Sequence, residues 1–405
     1  MIFSTTKNIW ENFKLKSDNF WFYILFVLVL FLRKTFSFLN PQFWAEDSNI
    51  FFKDSIELGI ESLIIPYAGY FHTIQRIVAC TASQFPLEII PFFYNYASLG
   101  VLLYIVWFCL NHVDFVKDNK LIVVILALVP HSNEILLNLT NLHWYTSIYL
   151  GFLLLSDERI YKGHFNTLFT LICSLSGPFS IIILPFYFLK SFWSGNLKTW
   201  SYIKFALIVG AIVQAFSLFK ASGEEKIKIS FALASDTLSI LAARVCFMQK
   251  IDTDIFIKYK LLIIVFFIIL NMILFILNRK KIEYILFYCY SLSISFFSIV
   301  KFHSQEIVDL LYIYPISDRY FFYFNFAFIV LCVIPFLKFK KIKVFEIYLI
   351  LIFVYLFCTN TFFTHPHYIM KDYDWFEQSG KIRTYGDLRI KVNPPGWYVD
   401  LNVTN

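Results

Sequence analysis

The chain has 405 residues, 59% of them hydrophobic and 16% charged, with a mean hydropathy of +0.65. Water-soluble domains run near ~45–50% apolar and ~25% charged, so an ordinary soluble protein is excluded; 50 Phe and 25 Tyr against 12 Gly and 12 Pro exclude collagenous, low-complexity and disordered classes as well. The net charge of +7 is, in a membrane chain, a signal of topology carried by the loops and no reason to invoke nucleic acid.

A spanning helix needs ~20 mostly apolar residues. Runs that qualify or nearly do fall near 19–38, 86–110, 120–131, 142–155, 165–176, 178–190, 200–218, 257–277, 284–301, 321–337 and 344–361. The first follows a polar stretch with Lys7, Lys14 and Lys16 and has no small-residue cleavage site after it, which predicts a retained anchor. The pairs at 120–155 and 165–190 are short and interrupted by polar or Gly-Pro residues, as expected of re-entrant or half-buried hairpins. The seven cysteines are an odd number without metal-ligand spacing and read as buried small hydrophobes.

Cation-rich short loops stay cytoplasmic. With the N-terminus inside, those loops carry Lys117 and Lys120; Arg159 and Lys162; Lys190 and Lys198; Arg279, Lys280 and Lys281; and Lys338, Lys340, Lys341 and Lys343. The other side then receives 39–85, 219–256, 302–320 and the tail 362–405. The expected fold is an all-α polytopic membrane protein of about eleven membrane segments, N-terminus in and C-terminus out, with a membrane body over 1–361. In the tail, Leu388–Val392 and Trp397–Leu401 alternate apolar and polar residues around Asn393-Pro394-Pro395-Gly396, predicting a small β-ribbon with a turn wider than two residues.

The outer segments hold most of the polar side chains able to do chemistry. Glu46 and Asp47 are adjacent carboxylates just past the first helix. Neighbouring residues cannot share one helix or strand face, so one acid can enter a cavity while the other caps or pairs. A carboxylate beside low-dielectric surroundings can serve as a general base; Asp47 can equally cap a helix from Ser48 to Leu58. His72 and Arg76, four apart after the Pro66–Tyr70 turn, would share a helix face and could hold a phosphate, or Arg76 could snorkel to headgroups. His131, Glu134, Asn138, Thr140, Asn141, His143 and Trp144 form a dense polar patch suited to sugar hydroxyls, or to satisfying broken backbone. His131, His143 and Glu134 do not form HExxH, so no zinc site is predicted. Ser176-Gly177-Pro178 interrupts an apolar run, and Asp318-Arg319-Tyr320 stands where the chain re-enters the membrane, fit to meet a lipid phosphate or to anchor in the aromatic belt.

The order of these motifs resembles that of bacterial GT-C-type integral membrane glycosyltransferases: Trp44-Ala45-Glu46-Asp47, Pro66–Tyr70 to Arg76, Glu134 with Asn138 to Trp144, Ser176-Gly177-Pro178, Arg319-Tyr320 and Pro395-Gly396-Trp397. More loosely, the layout is similar to phage-encoded, serotype-converting O-antigen glucosyltransferases. Ser48 stands where Gly commonly follows the acid pair. The resemblance implies an inverting transfer of a hexose, most simply glucose, from undecaprenyl phosphate to lipopolysaccharide O-antigen or a similar surface glycan, at the periplasmic face of the inner membrane. It makes Asp47 the base with Glu46 its neighbour, and Arg76, His72 and Arg319 the donor-phosphate ligands. Tyr70, Glu134, Asn138, Asn141, His143 and Trp144 become sugar or acceptor contacts. Families of this kind differ over use of a divalent metal. A lipid-linked glycan flippase and an O-antigen polymerase are the competing functions.

Overall fold

A computed structural model of the protein describes residues 17–156, 164–199, 201–221, 231–246, 258–301, 311, 317–337, 370–385 and 387–402. Apolar runs become helices whose ends fall at cations, prolines or glycines. Helix α1 (Ser17–Arg33) ends at Arg33-Lys34, and a short α2 (Thr35–Leu39) follows. The first loop holds a π-helical turn (Asp47–Phe52), α3 (Lys53–Glu57), a 3-10 turn (Gly59–Ile64) and α4 (Thr73–Ala82). Then come α5 (Ile90–His112), with Pro91 in its first turn where a missing N–H costs nothing, α6 (Asp114–Asp118), α7 (Ile122–Leu128) and α8 (Leu142–Leu155). After these lie α9 (His164–Ser174), α10 (Phe179–Trp193), α11 (Tyr202–Ala221), α12 (Phe231–Cys246), α13 (Lys260–Asn278), α14 (Ile282–Val300) and α15 (Arg319–Leu337). The tail folds as α16 (Trp375–Tyr385), β1 (Asp387–Val392) and β2 (Trp397–Asn402).

The protein is thus a mostly helical, polytopic chain. Among the described residues, four helices are long and apolar enough to cross a membrane: Leu87–His112, Tyr202–Ala221, Lys260–Asn278 and Ile282–Val300. Shorter apolar helices span Asn19–Arg33, Leu142–Leu155, Phe179–Trp193 and Arg319–Pro335. The apolar run at 344–361 lies outside the described residues.

The helix surfaces are inverted relative to a soluble protein. On α1, Ile24, Leu28 and Leu32 are exposed at helical spacing, while Phe26, Val29, Leu30 and Arg33 are buried on the opposite stripe. On α13 only Ile263, Phe267, Leu274 and Asn278 are buried, and Leu261, Leu262, Phe266, Ile269 and Met272 face outward. Apolar surface on that scale needs a lipid cover.

One correction concerns 120–131. Its helix has seven residues, about 10 Å at 1.5 Å per residue, because Pro130 forces the preceding residue out of helical geometry. It cannot cross ~30 Å of hydrocarbon. With α8 it forms the centre of the molecule: every residue from Ile122 to Leu154 is buried, more deeply than a half-buried hairpin.

Two ends follow from pairings across the chain. At the lower end Val113 bridges Ser156, and the Lys190 ammonium donates to the Leu153 and Ser156 carbonyls at 2.7 and 2.5 Å, meeting the negative end of α8. Lys190 and Lys281 line one depression there with Asp114, so these predicted loop cations share an end. At the upper end Trp44 bridges Asn393 and His72 bridges Ser176. Close helix packing joins the two ends: a Cβ on Gly210 would sit 2.3 Å from the Ser174 Cβ, so α9 and α11 meet at a glycine.

The tail docks on the first loop. Its antiparallel register pairs Val392 with Trp397 across the four-residue turn and Arg389 with Asp400, burying Ile390, Val392, Val399 and Leu401 on one face. Trp375 packs edge-on against Phe43 (4.6 Å between centroids) and Phe52 (5.7 Å), and its indole N–H donates to the Leu87 carbonyl at 2.8 Å. Among the described cysteines Cys109 and Cys173 are buried as expected, whereas Cys80, Cys289 and Cys332 are half-buried.

Candidate active site

Ala45 takes a left-handed φ of +42°, which turns the chain so that Glu46 and Asp47 diverge. Asp47 points into the protein. Its Oδ1 accepts from the Thr140 N–H and the Thr140 hydroxyl, both at 2.6 Å, and its Oδ2 accepts from the Trp44 N–H at 3.3 Å. The residue is 0% exposed, and burial, opposed by those donors, pushes its carboxyl up to about 6. It neither caps the helical turns after it nor faces a crevice. The partly exposed acid is Glu46, whose Oε1 accepts from the Tyr67 hydroxyl at 3.5 Å and which interacts electrostatically with Arg319. The divergence predicted for the pair is present, with Asp47 the acid that turns inward and pairs.

Tyr67 and Tyr70 pair through both backbone N–H groups around Ala68 (φ +52°) and Gly69 (φ +88°), a two-residue turn with both central residues left-handed. That turn brings the Tyr70 ring parallel to His72, 4.6 Å between centroids, and His72 meets His143 edge-on at 5.4 Å. Burial lowers the His72 imidazole to about 3, so it is uncharged at neutral pH and the predicted cationic pair with Arg76 does not form. Arg76 is itself turned away: 1% exposed, it pairs with Asp54 at 2.5 Å and lies over the Phe51 ring. With Arg76 turned to Asp54 and the His72 ring uncharged, the two do not form the shared cationic face that their spacing predicted.

The 130–144 segment supplies the opposite wall. Glu134 forms an ion pair with Arg319, which also lies over the Tyr320 ring. Asn138 donates to the Glu134 and Leu136 carbonyls at 2.6 and 3.2 Å and accepts from the Asn141 N–H; Asn141 donates to the Glu134 carbonyl at 3.2 Å. These two amides therefore satisfy broken backbone, the second of the readings their sequence allowed. His143 Nδ1 is 2.8 Å from the Thr140 carbonyl, and the Trp144 indole N–H is buried without a partner. The Ser176–Pro178 break docks on the first loop, the Ser176 hydroxyl accepting from the Ile74 N–H at 2.9 Å and the Gly177 N–H donating to the Phe71 carbonyl at 2.9 Å.

These walls enclose a cavity of about 450 Å³. Tyr70, His143, Trp144 and Lys301 form its polar head, and Ile181, Ile182, Leu218, Ile294 and Phe297 continue it as an apolar cleft between α10, α11 and α14. A second, polar cavity of about 230 Å³ lies between Arg33, Lys34, Trp44 and Asn133. A larger groove, about 810 Å³, runs between α1 and α5, but aliphatic and aromatic side chains line it and it is remote from the acids. Among the described residues no three His, Cys, Asp or Glu side chains are grouped to hold a metal ion.

Sequence reasoning missed Arg33, Arg244 and Lys301 at this end and named Asp318 only within the Asp318-Arg319-Tyr320 stretch. Arg33 donates to the Ala127 and Val129 carbonyls at 2.5 and 3.0 Å, closing the carbonyl end of α7. Asp318 accepts from Arg244 at 3.0 Å and from the Ser132 N–H at 2.6 Å, with burial pushing its carboxyl up to about 6. Lys301 sits over the Tyr320 ring at 5.0 Å. The only sequence signal was a cation at the end of an apolar run, which equally marks a membrane boundary. No protein-family model matches the chain, and no curated protein or solved structure is similar to it at a significant level.

Proposed function

We propose that this chain is an inverting membrane glycosyltransferase that moves a hexose from a polyprenyl-phosphate carrier to a surface glycan such as O-antigen. In this reading about eleven segments, some of them short or re-entrant, enter the bacterial inner membrane, with the N-terminus in and the upper end in the periplasm. One observation carries it: an apolar cleft between helices opens into a head lined by Tyr70, His143, Trp144 and Lys301, with Arg319 and Glu46 acting electrostatically on Tyr70, which suits a substrate that is lipid at one end and sugar phosphate at the other.

The polyprenyl chain would lie along Ile182, Leu218 and Phe297, with the phosphate near Lys301, which lines the cleft, and Arg319, which meets the same Tyr320 ring. Glu46, the partly exposed acid, takes the proton of the acceptor hydroxyl; that oxygen attacks C1 of the sugar as the bond from C1 to the phosphate oxygen breaks. A positioned base of this kind contributes ~10²–10⁴-fold. The departing phosphate gains charge in the transition state, where preorganised cations in a dry site stabilise it most. Asp47 acts through Thr140 and positions the 138–144 segment. Trp144 lines the cavity, and its indole N–H, buried without a partner, would be a donor for the bound sugar phosphate.

Purified protein in bilayers, given a radiolabelled polyprenyl-phosphate glucose and an acceptor glycan, should release polyprenyl phosphate and add one hexose per acceptor. Glu46→Gln should reduce turnover at least ~10²-fold with donor binding retained. Movement of the labelled lipid across the bilayer without sugar release would make the chain a flippase, and addition of whole repeat units would make it a polymerase.

A further inference from the structure

Across the 131–144 segment from the apolar cleft, the smaller cavity of about 230 Å³ is built from the end of α1, the first loop and the start of the tail. Its size is below the ~300 Å³ of drug-sized pockets, enough for a compact ligand but not a chain. Arg33 and Lys34 stand in its wall, each 8% exposed, and no acidic side chain lines it. Arg33 is fixed by the Asn133 side-chain oxygen at 3.1 Å and the His131 carbonyl at 3.2 Å; Lys34 is fixed by the Leu136 carbonyl and the face of Trp44. The acids that act on Lys34, Asp47 and Glu134, are directed elsewhere, to Thr140 and to Arg319.

Ser132 supplies an independent sign of a ligand. Its backbone N–H is tied to Asp318 at 2.6 Å, yet its hydroxyl, on a residue 1% exposed, has no hydrogen-bond partner. A buried hydroxyl without a partner destabilises the fold, and alanine would be the better residue unless something binds there. Ser132 lines the same cavity as the two cations.

We propose that this cavity binds an anionic sugar, its carboxylate or phosphate held by Arg33 and Lys34 and one of its hydroxyls by Ser132. That the sugar belongs to the acceptor glycan rests on the transferase reading; the binding itself does not, because it requires no donor and no turnover.

The test is calorimetric titration of the purified full chain in detergent, without donor, using methyl β-D-glucuronide, glucose 6-phosphate, methyl β-D-glucoside and inorganic phosphate. At least one charged sugar should bind about tenfold or more tighter than both the neutral glucoside and free phosphate, as a charge-assisted hydrogen bond predicts. Ser132→Ala should weaken that binding by about tenfold while leaving thermal stability unchanged or raised, and Lys34→Gln should erase the preference for charge. Absence of binding, a neutral glucoside or free phosphate that binds as well, or a Ser132→Ala variant of undiminished affinity would overturn the proposal.

Discussion

Asp47 holds Thr140 from 93 residues away, with one carboxylate oxygen accepting both the Thr140 amide and its hydroxyl at 2.6 Å. That clamp joins the first loop to the segment carrying Asn141, His143 and Trp144, so the geometry of the polar head depends on a contact outside it. Thr140→Val removes the hydroxyl donor and leaves the amide. It should destabilise the protein by about 2 kcal/mol, the scale of a hydrogen bond to a charged group, and show a coupling of about 1 kcal/mol with Asp47→Asn in a double-mutant cycle of thermal unfolding.

The pH dependence of that clamp has a definite sign. Asp47 has its carboxyl raised to about 6 by burial, so the folded state holds a proton that the unfolded chain releases near ~3.9. Its contribution to stability is complete below that lower value and fades as pH rises through about 6. Asp47→Asn should therefore gain stability relative to the parent protein between pH 4.5 and 7.5. His72, lowered to about 3, works oppositely: its contribution is complete above ~6.5 and is lost as pH falls toward 3. His72→Gln should flatten that acid-side loss, read by tryptophan fluorescence on heating in detergent at each pH.

Lys190 closes the carbonyl end of the buried helix α8. Lys190→Met keeps the apolar stem and leaves the Leu153 and Ser156 carbonyls without their cation. A loss of about 2–3 kcal/mol is expected, with hydrogen exchange rising first at the lower end of α8. Unchanged exchange there would show that other groups satisfy those carbonyls.

Gly210 and Gly100 make a matched pair. A methyl group on Gly210 would sit 2.3 Å from Ser174 Cβ and 3.1 Å from its backbone, whereas one on Gly100 meets nothing within 4 Å. Gly210→Ala should cost about 1–3 kcal/mol by overpacking the contact of α9 with α11. Gly100→Ala should be neutral or stabilise by up to ~1 kcal/mol through helix propensity. Comparable melting temperatures for the two variants would contradict the close approach.

Trp375 packs the tail against the first loop, and the Asn393 side chain braces the tail internally against Lys371. Trp375→Ala would empty the space beside Phe43 and Phe52, and Asn393→Ala would remove both hydrogen bonds to the Lys371 backbone, 2.8 and 2.9 Å. Each should make 370–402 sensitive to added protease while the helices stay resistant, with Trp375→Ala the stronger at about 3 kcal/mol. Full protection of the tail in both variants would mean that it docks by other contacts.

Whatever depends on neighbours along the chain was legible before any folding was considered. Apolar runs located the long helices α1, α5, α8 to α11 and α13 to α15 to within about five residues but missed α12, which lies in the 219–256 stretch assigned to the outer side; Pro130 and Pro178 fixed the breaks, and alternation fixed the ribbon face carrying Ile390, Val392, Val399 and Leu401, because side-chain period is a local property of backbone geometry. The family resemblance named Tyr70, His143 and Trp144 as sugar or acceptor contacts, and these three line one cavity. Tertiary structure alone decided which of two adjacent acids turned inward, that Arg76 would be taken by Asp54, and that Arg33, Lys34 and Lys301 would stand around the cavities. A charge inside a protein goes where its desolvation is offset, and the partner that offsets it can lie a hundred residues away, beyond the reach of any spacing rule.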